Sequence, residues 1–179
     1  INPVKEQIQL LKELLPDTEK FGIIYNVSEI NSGVQADLAK AEAVNQNLEC
    51  KVRTVSDASD IAATVSALIS DGCTAIYIPT DNLIAANMPA VTSVTDEKKI
   101  CGEAGCVLGG GTITYGVNYY ALGKQTANQA IQILFNNVSP SNIPVGMQTS
   151  PEELDIVINE ESVNKLGITI PDSIKKRMK

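Results

Sequence analysis

Short apolar strands alternate with amphipathic helices through most of this chain. Five strands recur at intervals of about 20–25 residues, each followed by apolar residues at helical spacing. Parallel strands need such crossovers, so the alternation predicts an α/β fold with a doubly wound, mainly parallel sheet of Rossmann-like or flavodoxin-like type. Because these crossovers are right-handed, we expect the first four strands in the order 2-1-3-4. The predicted strands are 20–25, 50–55, 74–79, 98–102 and 112–117, with a late strand at 154–158.

The stretch 73–82, CTAIYIPTDN, places polar side chains at the end of a central strand. Its run AIYI shows no alternation, which is typical of a strand buried on both faces of a parallel sheet. Pro79 cannot donate to a neighbouring strand and therefore ends it. Thr80, Asp81 and Asn82 follow, and then a helical segment begins. Asp81 or Asn82 can be only a helix cap. Alternatively the turn belongs to a ligand site, since ligands of open α/β sheets bind beyond the carboxyl ends of the strands.

The composition excludes several kinds of site. The chain has 179 residues and a net charge of −7 with scattered basic residues, so it lacks the basic face of a nucleic-acid-binding protein. It contains no histidine, which excludes His-based catalytic triads and His-ligated metals. It also lacks a phosphate-binding glycine motif and a nucleophile elbow, and we expect no cofactor, no metal and no enzymatic activity. No apolar run approaches the roughly 20 residues that span a bilayer.

The chain has four cysteines. Cys50 and Cys73 each enter a predicted strand, where cysteine usually acts as a small buried hydrophobe. Cys101 and Cys106 flank a short loop and can pair if the compartment is oxidising, while their spacing is not that of a zinc site. Cysteine usage therefore leaves the compartment open.

Four segments distributed along the chain carry a family resemblance. In their order and spacing they resemble the substrate-binding proteins of ABC transporters, tryptophan/tyrosine-type group, which have the type I periplasmic-binding-protein fold. The resemblance implies the solute-binding component of an ABC importer. It would hold an amino acid, aromatic or not, or a similar small zwitterion between two lobes. The segments are QIQLLKELLPDTEKFGIIYN (7–26), AIYIPTDN (75–82), ITYGVNYYALGKQTANQAIQIL (113–134) and LDIVINEESVNKLGITIPDSI (154–174).

Family members have two lobes, and the resemblance implies that this chain is the second lobe with the C-terminal crossings. It assigns residues 1–112 to an α/β ligand-binding lobe, and 113–145 to a crossing strand and helix associated with the other lobe. Residues 146–179 would supply a C-terminal strand and helices that complete the lobe. Without the other lobe, the apolar face of helix 121–135 is expected to fold back on its own sheet or to pair in a homodimer. Permease subunits as partners and a location outside the cytoplasm, in the periplasm or as a cell-surface lipoprotein, are implied as well.

Polar side chains gather at the ends of the predicted strands, and the resemblance implies that they bind the ligand. Helix N-termini at this edge favour a carboxylate, and Asp81 or Glu103 can accept hydrogen bonds from an ammonium group. Tyr115, Tyr119 and Tyr120 offer aromatic surface as core, rim or ligand wall. The candidate ligand-binding residues are Asn26, Ser28, Ser32, Thr80, Asp81, Asn82, Glu103 and Asn118.

Two other functions stay open at this point. One is the small-molecule-sensing effector domain of a transcriptional regulator, which would need a DNA-binding segment upstream. The other is a Rossmann-like enzyme, since the fold alone permits it. The sequence disfavours the enzyme because no histidine is available as a base for a nucleophile such as Cys106.

Overall fold

A six-stranded sheet organises the computed structural model, which describes residues 2–95, 98–101, 104–148 and 154–178. Its strands are β1 (Lys20–Asn26), β2 (Glu49–Val55), β3 (Ala75–Ile78), β4 (Lys98–Cys101), β5 (Ile113–Val117) and β6 (Leu154–Ile158). They lie in the order β2-β1-β3-β4-β5-β6. Strands β1 to β5 pair in parallel, and the predicted order of the first four strands is confirmed.

Helices cover both faces of the sheet, as expected for a doubly wound fold. Ile23 and Tyr77 point to the face covered by α1 and α2, whereas Ile24 and Ile76 point to the face covered by α3, α4 and α5. The two layers arise because successive residues of a strand face opposite sides. The helices are α1 (Val4–Leu14), α2 (Ile30–Asn45), α3 (Ile61–Ser70), α4 (Asn82–Ala86), α5 (Met88–Thr92), α6 (Ala104–Leu108), α7 (Tyr119–Leu134), α8 (Glu160–Lys165) and α9 (Asp172–Lys175), with 3-10 turns at Ala58–Asp60 and Pro140–Asn142.

Two residues with restricted or unusual backbone conformations mark helix ends. Pro89, which cannot sit inside a helix without breaking it, divides the fourth helical segment into α4 and α5 and lies in the first turn of α5. Gly167 follows α8 with a φ of +62°, the left-handed conformation that glycine adopts most readily at a helix C-terminus.

The last strand departs from the simple alternation. β6 pairs with β5 in the antiparallel direction, with Ile113 opposite Ile158 and Val117 opposite Leu154. A parallel strand would need a crossover helix packed on the sheet, and α7, the long helix between β5 and β6, has no buried residue. The mainly parallel sheet that the sequence predicts is therefore confirmed, with β6 as an antiparallel strand at its edge.

Helix α7 projects from the domain with its apolar side chains uncovered. Tyr120, Leu134 and the following Phe135 are 79%, 71% and 76% exposed. The expectation that this helix folds back on its own sheet is wrong, because its apolar side chains stay exposed. The edge of β5 is paired with β6, and α6 packs beside both strands. Pairing with a second copy or packing on another lobe remains a prediction.

Candidate functional site

The carboxyl edge of the parallel strands is where the candidate site lies. We use carboxyl edge for the loops that follow β1, β3 and β5, together with the amino end of the antiparallel β6. Seven of the eight predicted ligand-binding residues fall in the described part of the chain, and all seven lie at this edge. The eighth, Glu103, lies outside the described residues.

The loop after β3 is fixed by the first turns of α2. The carbonyl oxygen of Thr80 accepts hydrogen bonds from Asn31 Nδ2 at 2.8 Å and from Ser32 Oγ at 2.9 Å. The Thr80 amide donates to Gln35 Oε1 at 3.2 Å. Ser32 is fully buried, so its hydroxyl serves this loop and faces away from solvent. Thr80 itself is half-buried.

Asp81 joins the loops after β1 and β3. Its Oδ1 accepts a hydrogen bond from the Ile84 amide at 3.0 Å, which makes it the N-cap of α4. Its Oδ2 accepts from the Asn26 amide at 2.7 Å. The side chain is 1% exposed. Its capping role is therefore established, and contact between Asp81 and a ligand remains a prediction.

Glu29 holds the start of α4 from across the edge. Its carboxylate accepts hydrogen bonds from the Asn82 amide at 3.0 and 3.1 Å, from Asn82 Nδ2 at 3.1 Å and from the Leu83 amide at 3.2 Å. A carboxylate is stabilised at this position because the first amides of a helix have no partner within it. Sequence reasoning missed Glu29, since the pairing joins residues more than fifty positions apart.

Asn26 and Ser28 form the tip of the loop after β1. The Ser28 amide donates to Asn26 Oδ1 at 3.0 Å, a local turn that asparagine favours. Ser28 is exposed and Asn26 is half-buried. This turn leaves the Ser28 side chain at the surface of the carboxyl edge.

A cavity of about 300 Å³ opens where β5, β6 and α7 meet. Asn118 caps α7 by accepting a hydrogen bond from the Ala121 amide at 2.7 Å, and its Nδ2 donates to Asp155 Oδ2 at 2.5 Å. Gly116 lies opposite Asp155 in the strand pair and has no side chain to fill the space beside the carboxylate. We call this cavity the β5–β6 pocket; it is lined by Thr114, Gly116, Val117, Asn118, Tyr119, Tyr120, Asp155 and Val157.

Sequence reasoning missed two contributors to the β5–β6 pocket. Asp155 is the one charged residue in the otherwise apolar strand LDIVI, which is a usable signal for a special position. Gln148 binds the Asn118 backbone twice, accepting from its amide and donating to its carbonyl oxygen, each at 2.9 Å. Gln148 carries no such signal, because a glutamine in a polar loop is ordinary.

The described residues show no preassembled metal centre. Among them, no group of three or more Cys, Asp or Glu side chains is placed to hold a metal ion. Cys50 and Cys73 are free thiols, and Cys106 is disulfide-bonded. The side chain of Cys101, its expected partner, lies outside the described residues.

A family model for ABC transporter substrate binding proteins matches residues 1–179 of the chain. The chain belongs to this family. The expected resemblance and the α/β fold of the type I periplasmic-binding-protein kind are thereby confirmed. In the parts of the chain that the structure describes, no helix combines the length and apolar character needed to cross a membrane.

Relatives place the chain within the family. It is 35% identical over 168 residues to a tyrosine-binding protein of Clostridioides difficile strain R20291, covering 92% of this chain and 47% of that protein. It is also similar to a Streptococcus pneumonia ABC domain solved in complex with L-Trp, with 30% identity and a TM-score of 0.85 over 99% of this chain and 61% of that one. The chain thus spans about half the length of its tyrosine-binding relative.

A more distant neighbour shares only the fold. A LacI family transcriptional regulator from Bifidobacterium animalis subsp. lactis is 11% identical, with a TM-score of 0.61 over 86% of this chain and 59% of that one. A match at this low identity supports a shared fold but not a shared function, so it does not favour the regulator interpretation.

Proposed function

We propose that this chain is one lobe of a solute-binding protein that captures an aromatic amino acid for an ABC importer. The observation that supports the proposal is the β5–β6 pocket at the carboxyl edge, which Asp155 lines together with the exposed Tyr119 and Tyr120. An ammonium group matches the carboxylate, and an aromatic side chain matches the tyrosine surface. The ligands named for the two relatives, tyrosine and L-Trp, have both groups.

The carboxyl edge also suits the carboxylate end of such a ligand. Two long helices, α2 and α7, begin there, so the positive ends of both helix dipoles face the same region. The loops after β3 and β5 are separated by one strand, about 10 Å by sheet spacing. Acidic side chains and helix N-termini therefore lie close enough together for one zwitterion to contact both. In this arrangement Ser28, Asn82 and Asn118 contact the ligand, while Ser32, Thr80 and Asp81 hold the loops.

The other lobe of the proposed protein covers what this chain leaves open. Helix α7 presents an apolar face to solvent, and the β5–β6 pocket lies beside its first turn. A lobe packed on α7 would bury that face and close the pocket, because small-molecule sites usually bury most of their ligand. We therefore keep residues 1–112 and 146–179 as the lobe proper and 113–145 as the crossing to its partner lobe. The intact protein would work outside the cytoplasm, as a periplasmic or lipid-anchored protein, and deliver its ligand to permease subunits without chemical change.

Calorimetric titration of the intact two-lobed protein tests the proposal. L-tryptophan and L-tyrosine should bind, tryptamine should fail for lack of a carboxylate, and indole-3-propionate should fail for lack of an ammonium group. The 179-residue chain alone should bind at least about a hundredfold more weakly, because an open half-site encloses little of the ligand. Equal binding of tryptamine and L-tryptophan would contradict the zwitterion, and no binding of any amino acid would overturn the function.

The variant Asp155→Asn tests the site within the same experiment. A charge-assisted hydrogen bond is worth about 1.5–3 kcal/mol, which corresponds to about ten- to a hundredfold in affinity. Asp57→Asn is the matched control, because Asp57 follows β2 at the same edge, is exposed and lies four strands away from β5. Equal affinities for the two variants would remove Asp155 from the site.

A further inference from the structure

Helix α2 turns its small and polar residues toward the domain and its large aliphatic residues toward solvent. The face that packs against the domain consists of small and polar residues: Ser32, Gln35, Ala36, Ala39, Glu42 and Ala43. The opposite face carries the large aliphatic side chains. Ile30, Val34, Leu38 and Val44 are 85%, 53%, 45% and 74% exposed. We call these four residues, with the exposed Ala41 between them, the α2 stripe.

The fold accounts for the inward face but not for the α2 stripe. Small residues let α2 approach α1 and the sheet closely, and Glu42 is satisfied by hydrogen bonds from Gln9, Asn45 and Gln46. A surface helix normally turns its large aliphatic residues inward and its polar residues outward. Single exposed apolar residues are common, but a continuous stripe along a whole helix marks an interaction surface.

A groove runs beside the α2 stripe. It has a volume of about 290 Å³ and lies between α1 and α2. Its lining combines the apolar Pro3, Val4, Leu38 and Ala41 with the charged Lys5, Glu6 and Glu42. Leu38 and Ala41 thus belong both to the wall of the groove and to the α2 stripe, which forms a ridge beside it. A two-fold symmetric contact needs a patch that is complementary to itself, and a ridge adjoining a groove meets that requirement.

The charge of the α2 stripe is balanced. Its ionisable neighbours on the outward face are Asp37 and Lys40, which form a salt bridge at 2.6 Å. The adjoining groove adds Lys5, Glu6 and Glu42, and Glu42 already accepts hydrogen bonds within the chain. The whole chain carries a net charge of −7, so most contacts between two copies would bring like charges together. The stripe itself is neutral, and stripe and groove together carry one negative charge, so a second copy meets less of that repulsion here.

A partner lobe seated on the carboxyl edge leaves most of the α2 stripe uncovered. α2 begins at the carboxyl edge with Ile30 and runs to the opposite edge of the sheet, where β2 starts. From Ile30 to Val44 the stripe is about 21 Å long at 1.5 Å per residue. A lobe seated on the carboxyl edge reaches only the first turn, at Ile30. Most of the stripe lies on the flank of the domain.

We propose that the α2 stripe is the interface of a homodimer in which the α2 helices of two copies pack antiparallel. The two-fold axis passes near Asp37, the midpoint of the stripe, so that each ridge lies along the groove of the other copy. The salt bridge between Asp37 and Lys40 then lies at the centre and adds no net charge. This interface is separate from α7 and does not depend on the identity of the ligand.

Analytical ultracentrifugation of the 179-residue chain tests the proposal. The weight-average mass should rise above the 19.1 kDa monomer as the concentration increases through the micromolar range. Val34→Glu and, separately, Leu38→Ser should raise the dimer dissociation constant at least about tenfold, since few central residues dominate an interface. Leu134→Glu, a change of an even more exposed aliphatic residue on α7, is the control and should leave the dimer intact.

A second measurement locates the two-fold axis. The variant Asp37→Cys should form a disulfide-linked dimer under mild oxidation, whereas the unmodified chain, with its own Cys50 and Cys73, should not. Circular dichroism confirms that each variant is folded. A monomer at every concentration, or a dimer that Leu134→Glu dissociates and Val34→Glu does not, would overturn the proposal. So would a folded Asp37→Cys variant that yields no cross-linked dimer.

Discussion

The hydroxyl of Tyr77 donates a hydrogen bond to Gln7 Oε1 at 2.7 Å, and both side chains are fully buried. Gln7 Nε2 in turn donates to the carbonyl oxygen of Tyr115 at 2.8 Å. One glutamine on α1 thereby connects β3 with β5, across the strand between them. Its amide satisfies polar groups that would otherwise be buried without partners.

Replacing Gln7 should destabilise the domain by more than its own contacts suggest. Gln7→Leu leaves the Tyr77 hydroxyl and the Tyr115 carbonyl without this partner, and we expect a loss of about 2–4 kcal/mol in the free energy of unfolding. Tyr77→Phe should lose about 1–2 kcal/mol. In the double variant the losses should be clearly less than additive, because removing both partners leaves no orphaned group between them. Urea denaturation measures all three, and strict additivity would show that the pair is not coupled.

Tyr77 should also make the domain sensitive to alkali. Burial raises the pKa of Tyr77 far above its ordinary value. Above about pH 10 the unfolded chain loses this phenolic proton while the folded chain keeps it, so stability should fall by up to about 1.4 kcal/mol per pH unit. Denaturation at pH 9 to 11 measures the slope. Tyr77→Phe should flatten it, whereas Tyr120→Phe, at a 79% exposed position, should not.

Asp81 offers a test that separates stability from ligand binding. Asp81→Asn leaves either the Asn26 or the Ile84 amide without its acceptor, and we expect a loss of about 1–2 kcal/mol in stability. Affinity of the intact protein for its amino acid should fall less than it does in Asp155→Asn. Thermal unfolding and calorimetry on the same variant measure both effects. A ten- to hundredfold loss of affinity without a loss of stability would show that Asp81 binds the ligand directly.

Two glycines should respond in opposite ways to alanine. In β1, a Cβ on Gly22 would lie 2.9 Å from Leu68 Cδ1 and 3.1 Å from Ile76 Cδ1, so α3 must shift, and we expect a loss of about 1–3 kcal/mol. Gly123 lies in α7 with open space around it, and Gly123→Ala should stabilise by up to about 1 kcal/mol through helix propensity. Denaturant midpoints of the two variants should move in opposite directions. An unchanged midpoint for Gly22→Ala would show that the helix and sheet are not closely packed there.

The sequence predicts the parallel part of the fold because its signals are local. The uninterrupted run Ala75–Ile78, followed by Pro79, identifies β3 and its end, and the polar residues beyond it identify the cap at Asp81. Pro89 likewise marks the break between α4 and α5. In each case the residues that decide the structure are neighbours in the chain.

The features that sequence reasoning missed depend on residues far apart in the chain. The direction of β6 follows from how the chain returns after α7, and no residue within LDIVI encodes it. In the sequence Glu29 looks like an ordinary loop residue, and only the fold brings it to the start of α4. Asp155 stands out in the sequence as the one charge in LDIVI, but its neighbours Gly116 and Asn118 follow only from the fold. At the candidate site, local patterns locate the carboxyl edge, whereas the pairings within it come from the tertiary fold.

The antiparallel pairing of β5 with β6 has a consequence for biosynthesis. The other five strands have left the ribosome once Val117 emerges, yet β5 keeps an open edge until Ile158 follows. The roughly 40 residues between them take about 2–8 seconds to translate. During that interval the nascent sheet exposes unpaired backbone groups, the kind of edge on which chains aggregate. Chaperone capture of this polypeptide should therefore be concentrated in that window of elongation.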